Sequence, residues 1–206
     1  MRRLHAPFDP WDPAPVSEVA ARFDGTGAPW WVAGGMAIEL AAGRVLREHG
    51  DIDVMLLRRD QRIAHQVLDG WELWAADPPG TLRPWEPGER LAAGVHDIWC
   101  RPAGATRWRI QLMLEETEGD VWVSRRDPRL RRPLDALGFT TADGTPVVSP
   151  EVQLHYKAKG LRPKDQVDFD AALPILAQEQ RSWLADALAA TYGRGHPWAE
   201  RLRMTG

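Results

Sequence analysis

The sequence is poor in cysteine: Cys100 is the only one among 206 residues. No disulfide can close within the chain, which fits a reducing compartment, and the cytoplasm is the expected location. Cys100 itself reads as a small apolar strand residue. Long apolar runs are missing, since nothing approaches the roughly 18 residues needed to span a membrane. Arg2 and Arg3 have no apolar stretch behind them, so no secretory signal is expected there. A basic excess is missing as well. Lys and Arg number 26 against 29 Asp and Glu, a formal net charge of −3. That argues against a general nucleic-acid binder, though not against a nucleotide carried with a metal ion. Internal repeats and low-complexity tracts are also absent.

Apolar residues make up 44% of the chain and charged residues 27%. These proportions support a real core in one domain of moderate size. Eleven tryptophans are expected mostly in or at the edge of that core. Prolines in residues 1–15 predict an extended arm packed on the surface. Ser17 reads as the cap of a helix to about Phe23. Residues 29–33 read as a buried strand, Gly34-Gly35 as a turn, and residues 36–47 as a helix whose last turn carries Arg44 and Arg47. A strand follows over 51–57, a helix over 58–69 and a strand over 71–75. Residues 78–94 read as a long loop, and further strands are expected over 97–101, 107–114 and 121–124. A hairpin turn at Asp143-Gly144 precedes Ser149-Pro150-Glu151, a helix start. Helices are then expected over 164–176 and 181–191. The order predicts an α+β fold: a mixed β-sheet with helices packed on it in residues 1–148, and a helical C-terminal part in residues 149–206.

The chemistry concentrates in two places. Asp51 and Asp53 flank Ile52 on a strand, so both carboxylates share one face about 7 Å apart along the chain. Two like charges on one face are costly unless a cation lies between them. Hard oxygen donors select Mg²⁺ or Mn²⁺ over zinc. Gly34-Gly35 at a helix start offers backbone N–H groups and no Cβ, a suitable cradle for phosphate. The Gly pair follows one strand and the Asp pair follows one helix later, which predicts that both reach the same sheet edge. Phosphate beside a divalent ion implies phosphoryl or nucleotidyl transfer.

The run Trp31-Val-Ala-Gly-Gly, a helix, then Arg47-Glu-His-Gly-Asp-Ile-Asp-Val54 resembles the signature of the DNA polymerase β-like nucleotidyltransferase superfamily. It is most similar to the small aminoglycoside and lincosamide nucleotidyltransferases, the 2″-adenylyltransferase-like group in particular. The specific resemblance covers residues 29–57, with a looser one over 150–173. It implies that Asp51 and Asp53 hold Mg²⁺ and are catalytic, and that Gly34 and Gly35 bind the nucleotide phosphates. Arg47 and His49 form a basic element just before the Asp pair. Lys157, Lys159, Lys164, Asp165 and Asp168 match the lysine- and aspartate-bearing helical segment, with Lys157 and Lys164 expected on the nucleotide. The family places a third carboxylate on a later central strand, and here Gln111 stands at the middle of that strand. Glu115 is about 13 Å further along, and Glu116 and Asp97 are the other acids nearby.

The implied activity is transfer of an NMP from an NTP, ATP foremost, to a hydroxyl of a small acceptor of the aminoglycoside type. The alternatives are a nucleotide-binding or antitoxin-like module with a weakened site, favoured by Gln111, and a tRNA-modifying nucleotidyltransferase, favoured by the Arg125–Arg132 run. That run otherwise reads as a surface segment pairing with Glu115, Glu116 and Glu118. His96 and His155 read as structural histidines.

Overall fold

The computed structural model describes residues 3–6 and 8–204. Met1, Arg2 and Pro7 of the expected arm lie outside the described residues. In chain order the elements are β1 (Leu4–His5), α1 (Val16–Phe23), β2 (Trp30–Ala33), α2 (Gly34–Ala42) and β3 (Asp53–Leu57). Then come α3 (Ile63–Val67), β4 (Trp71–Ala76), β5 (Thr81–Pro84), β6 (Asp97–Pro102) and β7 (Ile110–Glu118). Three short strands follow, β8 (Val121–Val123), β9 (Arg131–Pro133) and β10 (Gly138–Thr140), and then β11 (Pro146–Val148). The remaining helices are α4 (Pro150–Lys157), α5 (Pro163–Ala172), α6 (Gln178–Tyr192) and α7 (Pro197–Met204). The α+β class with a mixed sheet is as expected. None of the described helices is long and apolar enough to cross a membrane. The chain divides into two compact units, Met1–Val32 with His49–Thr117, and Ala33–Glu48 with Glu118–Gly206.

The first unit is a sheet of strand order β1-β5-β4-β6-β7-β3-β2. β3 and β7 are parallel, while β4, β5 and β6 pair antiparallel with their neighbours. Alternation sorts the central strands by face. Ile52, Val54 and Leu56, with Ile110, Leu112 and Leu114, are all fully buried. Asp53, Gln111 and Met113 on the other face are only half-buried. Period-two patterning therefore buries one face of both strands throughout, while on the other Asp53, Gln111 and Met113 are half-buried and Met55, Leu57 and Glu115 are buried. The arm is extended, as expected. It pairs along residues 108–109, with Asp12 N–H donating to Trp108 O and Ala14 N–H to Arg109 O, both at 2.9 Å. β7 itself begins at Ile110. Trp108, Trp74 and Leu82 form a buried cluster under Phe8, Trp11 and Trp99. Its rings meet edge-on, as aromatic quadrupoles prefer.

Several local expectations shift. The helix after the Gly pair ends at Ala42, because Gly43 takes the left-handed conformation at φ 64° and terminates it. Arg44 and Arg47 therefore lie beyond the helix. The expected 58–69 helix is a 3-10 turn over Arg58–Asp60 and the short α3. The expected 78–94 loop contains β5, which pairs with β4. The arginine run does pair with acids, but mostly others than those expected: Arg131 with Glu118, Arg132 with Glu151, and Arg129 with Asp127. Glu116 instead accepts from Arg58 at 2.6 Å. Cys100 is fully buried, and burial pushes its thiol well above the usual range, so it is an inert strand residue. His96 is structural as expected, its Nδ1 3.0 Å from the Arg58 guanidinium.

The second unit holds α2, the short strands β8–β11 and α4 to α7. Its core joins Ile38 of α2, Leu154 of α4, Phe169 of α5, Leu184 and Leu188 of α6, and Trp198 of α7. Phe169 and Trp198 stack at 4.4 Å and 9°. Pro150 opens α4 as expected, with Ser149 at the cap position, but the hydroxyl makes no capping bond. Glu151 is buried and accepts from Arg132 at 2.5 Å and from Gln180 at 2.7 Å.

His155 is fully buried on α4, with Nε2 3.0 Å from the Thr191 hydroxyl. Burial, helped by the Arg126 charge and opposed by Asp127, lowers its pKa from 6.5 to about 4. The unfolded chain thus binds the proton more readily across that window. Stability is full above about 6.5 and declines as pH falls toward 4, by on the order of 3 kcal/mol. A His155→Gln variant should show a flatter decline in urea titrations across that range. An unchanged slope would place the acid sensitivity elsewhere.

Candidate active site

Asp51 lies just before β3 and Asp53 is its first residue. Both are half-exposed and flank Ile52, which is 1% exposed. The Ile52 carbonyl accepts from Gln111 N–H at 2.9 Å, so the chain is already extended there and the two carboxylates share the open face. Across the sheet Asp53 is in register with Gln111, Gln111 with Trp99, and Trp99 with Trp74. Gln111 therefore occupies the level beside Asp53, one strand spacing or about 5 Å away.

The other acids do not reach that level. Glu115 is fully buried and in register with Leu57, Glu116 is bound to Arg58, and Asp97 is in register with Met113. Asp97 shares the face of Asp53, but at about 12 Å by strand geometry. Among the described residues no group of three or more His, Cys, Asp or Glu is arranged to hold a metal. Two half-exposed carboxylates and an amide oxygen suit a hard ion that keeps most of its water and takes phosphate oxygens as ligands.

Gly34 and Gly35 open α2 in the second unit, and Gly34 has φ 69°. Only glycine accepts that conformation without strain, which explains the residue type at the turn. The Gly34 N–H donates to Gln153 Oε1 of α4 at 2.8 Å, a buried bond. Gln153 carried no signal in the sequence beyond being a polar residue on a helix. Gln153→Leu strips the acceptor from this N–H and should cost about 1–3 kcal/mol. Thermal unfolding measures this, and a variant as stable as the parent would show the bond to be dispensable.

Arg47 and Lys157 converge on Asp168. Arg47 donates twice, Nε to Oδ1 and Nη2 to Oδ2, both at 3.1 Å. Lys157 Nζ lies 2.8 Å from Asp168 and 3.7 Å from Asp165. Both aspartate side chains are fully buried, and Lys157 is 7% exposed. Asp165 also accepts from Arg162 at 2.7 and 3.0 Å, and that pairing, with the Lys157 charge, holds its carboxyl below the usual range despite burial. Asp165 and Asp168 are thus both engaged in ion pairing. It binds the Arg47 and Lys157 side chains, while Lys164 stays exposed on α5. His49 is half-buried just before Asp51.

The model of the aminoglycoside-2″-adenylyltransferase family matches residues 15–72, a stretch that contains Gly34, Gly35, Asp51 and Asp53. In the comparison with curated proteins nothing matches. The solution structure of the antibiotic-resistance factor ANT(2″)-Ia is similar over 93% of this chain and 96% of that one, at TM-score 0.57 and 16% identity. The same protein in complex with adenylyl-2″-tobramycin is similar over 85% and 95%, at 0.53 and 16%. The lincosamide antibiotic adenylyltransferase LnuA, bound to lincomycin, matches 80% of this chain and 100% of its own, at 0.55 and 15%. At such identities the likeness is one of fold, and the family match adds the segment that bears the Gly and Asp pairs. The chain thus shares the fold of the aminoglycoside and lincosamide adenylyltransferases, and its residues 15–72 match the model of the aminoglycoside-2″-adenylyltransferase family.

Proposed function

We propose that the protein transfers an NMP from an NTP, ATP foremost, to a hydroxyl of a small acceptor of the aminoglycoside or lincosamide class. The observation that carries this reading is the pair Asp51 and Asp53 on the open face of β3, beside Gln111. Asp51 and Asp53 hold Mg²⁺ or Mn²⁺, which supplies charge neutralisation at the phosphates. Their fixed backbone, tied to β7, keeps both carboxylates aimed before substrate arrives. Gly35 is proposed on the phosphates through its backbone, with Gly34 shaping the turn since its own N–H is held by Gln153, and with His49 and the exposed Lys164 as nucleotide-binding side chains. Arg47, Lys157 and Arg162 outnumber the carboxylates of Asp165 and Asp168, so that cluster keeps a positive excess and its proposed role is attraction of the triphosphate. The test supplies ATP, Mg²⁺ and a panel of aminoglycosides and lincosamides. Pyrophosphate release with an acceptor heavier by one AMP supports the reading, and its absence across NTPs and acceptors refutes it.

Gln111 favours a second reading, a module that binds nucleotide without turning it over. Gln111→Asp adds a carboxylate one strand from Asp53. It should tighten Mn²⁺ binding by about tenfold or more through added ligand charge, as read by calorimetry. Pyrophosphate release that appears only in this variant would favour the module for the parent chain. Unchanged Mn²⁺ affinity would take Gln111 out of the ion's reach.

A further inference from the structure

The turn that opens α2 is not held by its own residues. Gly34 has φ 69°, and glycine adopts positive and negative φ about equally readily. Residue type therefore permits this turn without enforcing it. Ala33 at the cap position makes no side-chain capping bond. The Gly34 N–H belongs to the first turn of a helix, where donors lack an intrahelical acceptor. Its acceptor comes from 119 residues away, Gln153 Oε1 at 2.8 Å in a buried bond. Gln153 is itself only 7% exposed.

The position of Gln153 is fixed in turn by α4. Its backbone N–H donates to Ser149 O at 3.0 Å. The next residue, Leu154, packs in one core with Ile38 of α2. Lys157 lies one helical turn further along the same face of α4. It is 2.8 Å from Asp168, which takes both donors of Arg47 from the segment just past α2. One face of α4 thus secures both flanks of α2, Gln153 directly and Lys157 through Asp168. All of these ties lie within the second unit. Without the Gln153 acceptor the Gly34 N–H would be buried and unsatisfied. Glycine relieves such a state by rotating about φ, because both signs are open to it. Rotation there re-aims the N–H groups that follow at the start of α2.

We propose that Gln153 is a positioning residue for nucleotide binding. Its hold on the Gly34 N–H keeps the next N–H groups of α2, Gly35 foremost, aimed at the triphosphate before it arrives. Donors fixed in advance bind an anion without the cost of ordering them. Gln153 touches no nucleotide, and its effect passes through the Gly34 turn. The inference rests on the reading of Gly35 as a phosphate ligand.

The test is calorimetry with ATP and Mg²⁺ and no acceptor, at a temperature where circular dichroism shows each protein folded. Gln153→Met keeps the side-chain length and loses the acceptor. It should weaken ATP by about tenfold or more. Gln153→Asn, one methylene shorter, withdraws the acceptor but stays polar, and it serves if the first variant does not fold. The same weakening is expected of it. Gln153→Glu keeps an acceptor at the same reach. By NMR it should retain the slow hydrogen exchange of the Gly34 amide that the other two variants lose. A purely structural role would lower the melting temperature and leave the ATP affinity of the folded protein unchanged. That result in either acceptor-less variant overturns the inference and leaves the nucleotide reading standing. Fast Gly34 exchange in Gln153→Glu also overturns it. A parent chain that binds no ATP removes the inference together with the reading beneath it.

Discussion

Asp53→Asn is expected to lower NMP transfer by about a thousandfold or more while the fold stays intact. The side chain keeps its shape and loses only its charge, which is the property a divalent ion needs. Asp53 is half-exposed at the start of β3, and the backbone register with Gln111 does not depend on the carboxylate. Removing one of two neighbouring like charges also relieves repulsion when no ion is bound. Unfolding temperature should therefore stay within a few degrees of the parent while turnover collapses. Asp51→Asn should behave similarly. The measurement is pyrophosphate release at saturating ATP and Mg²⁺, with a thermal melt on the same sample. Turnover of the Asp53→Asn variant at the parent rate would remove the Asp pair from the chemistry.

Asp168→Asn should have the largest effect on stability. The carboxylate has no exposure and faces two cations, a bidentate Arg47 and Lys157 at 2.8 Å. With its charge gone, Lys157 at 7% exposure keeps only Asp165, 3.7 Å away and shared with Arg162. Breaking a buried pair from one side costs about 3–5 kcal/mol, because the surviving charge stays desolvated. For a chain of this size that corresponds to a drop on the order of 10 °C in Tm. Lys157→Met combined with Asp168→Asn removes that surviving charge and should restore part of the loss. Two losses that simply add would show that Lys157 and Asp168 are not coupled.

Much of the candidate site was legible because its signals are local. Asp51-Ile52-Asp53 alternates, and alternation alone sends Ile52 inward and both acids to one open face. Gly34-Gly35 marks a backbone conformation, and φ 69° at Gly34 is that conformation. Cys100 and His96 were readable as structural from residue type and strand context. Where a local signal went unread the structure departs. Gly43 stops α2 five residues before the expected end at Arg47, and that releases Arg47 to reach Asp168.

Other features depend on segments far apart in sequence. Periodicity tells which face Gln111 occupies but not its level, and only the β3–β7 register puts it beside Asp53 rather than a neighbouring acid. Nothing near Glu116 in sequence announces Arg58 as its partner across 58 residues. Nor does the sequence reveal that Gln153 holds the Gly34 N–H, 119 residues away. Residue type and spacing by themselves determined the α+β class and the two motifs proposed to carry chemistry. Tertiary structure decided which acid stands next to which, and which cations are already neutralised. A charged side chain's role depends on the nearest opposite charge and on burial, and both are set by packing between distant segments.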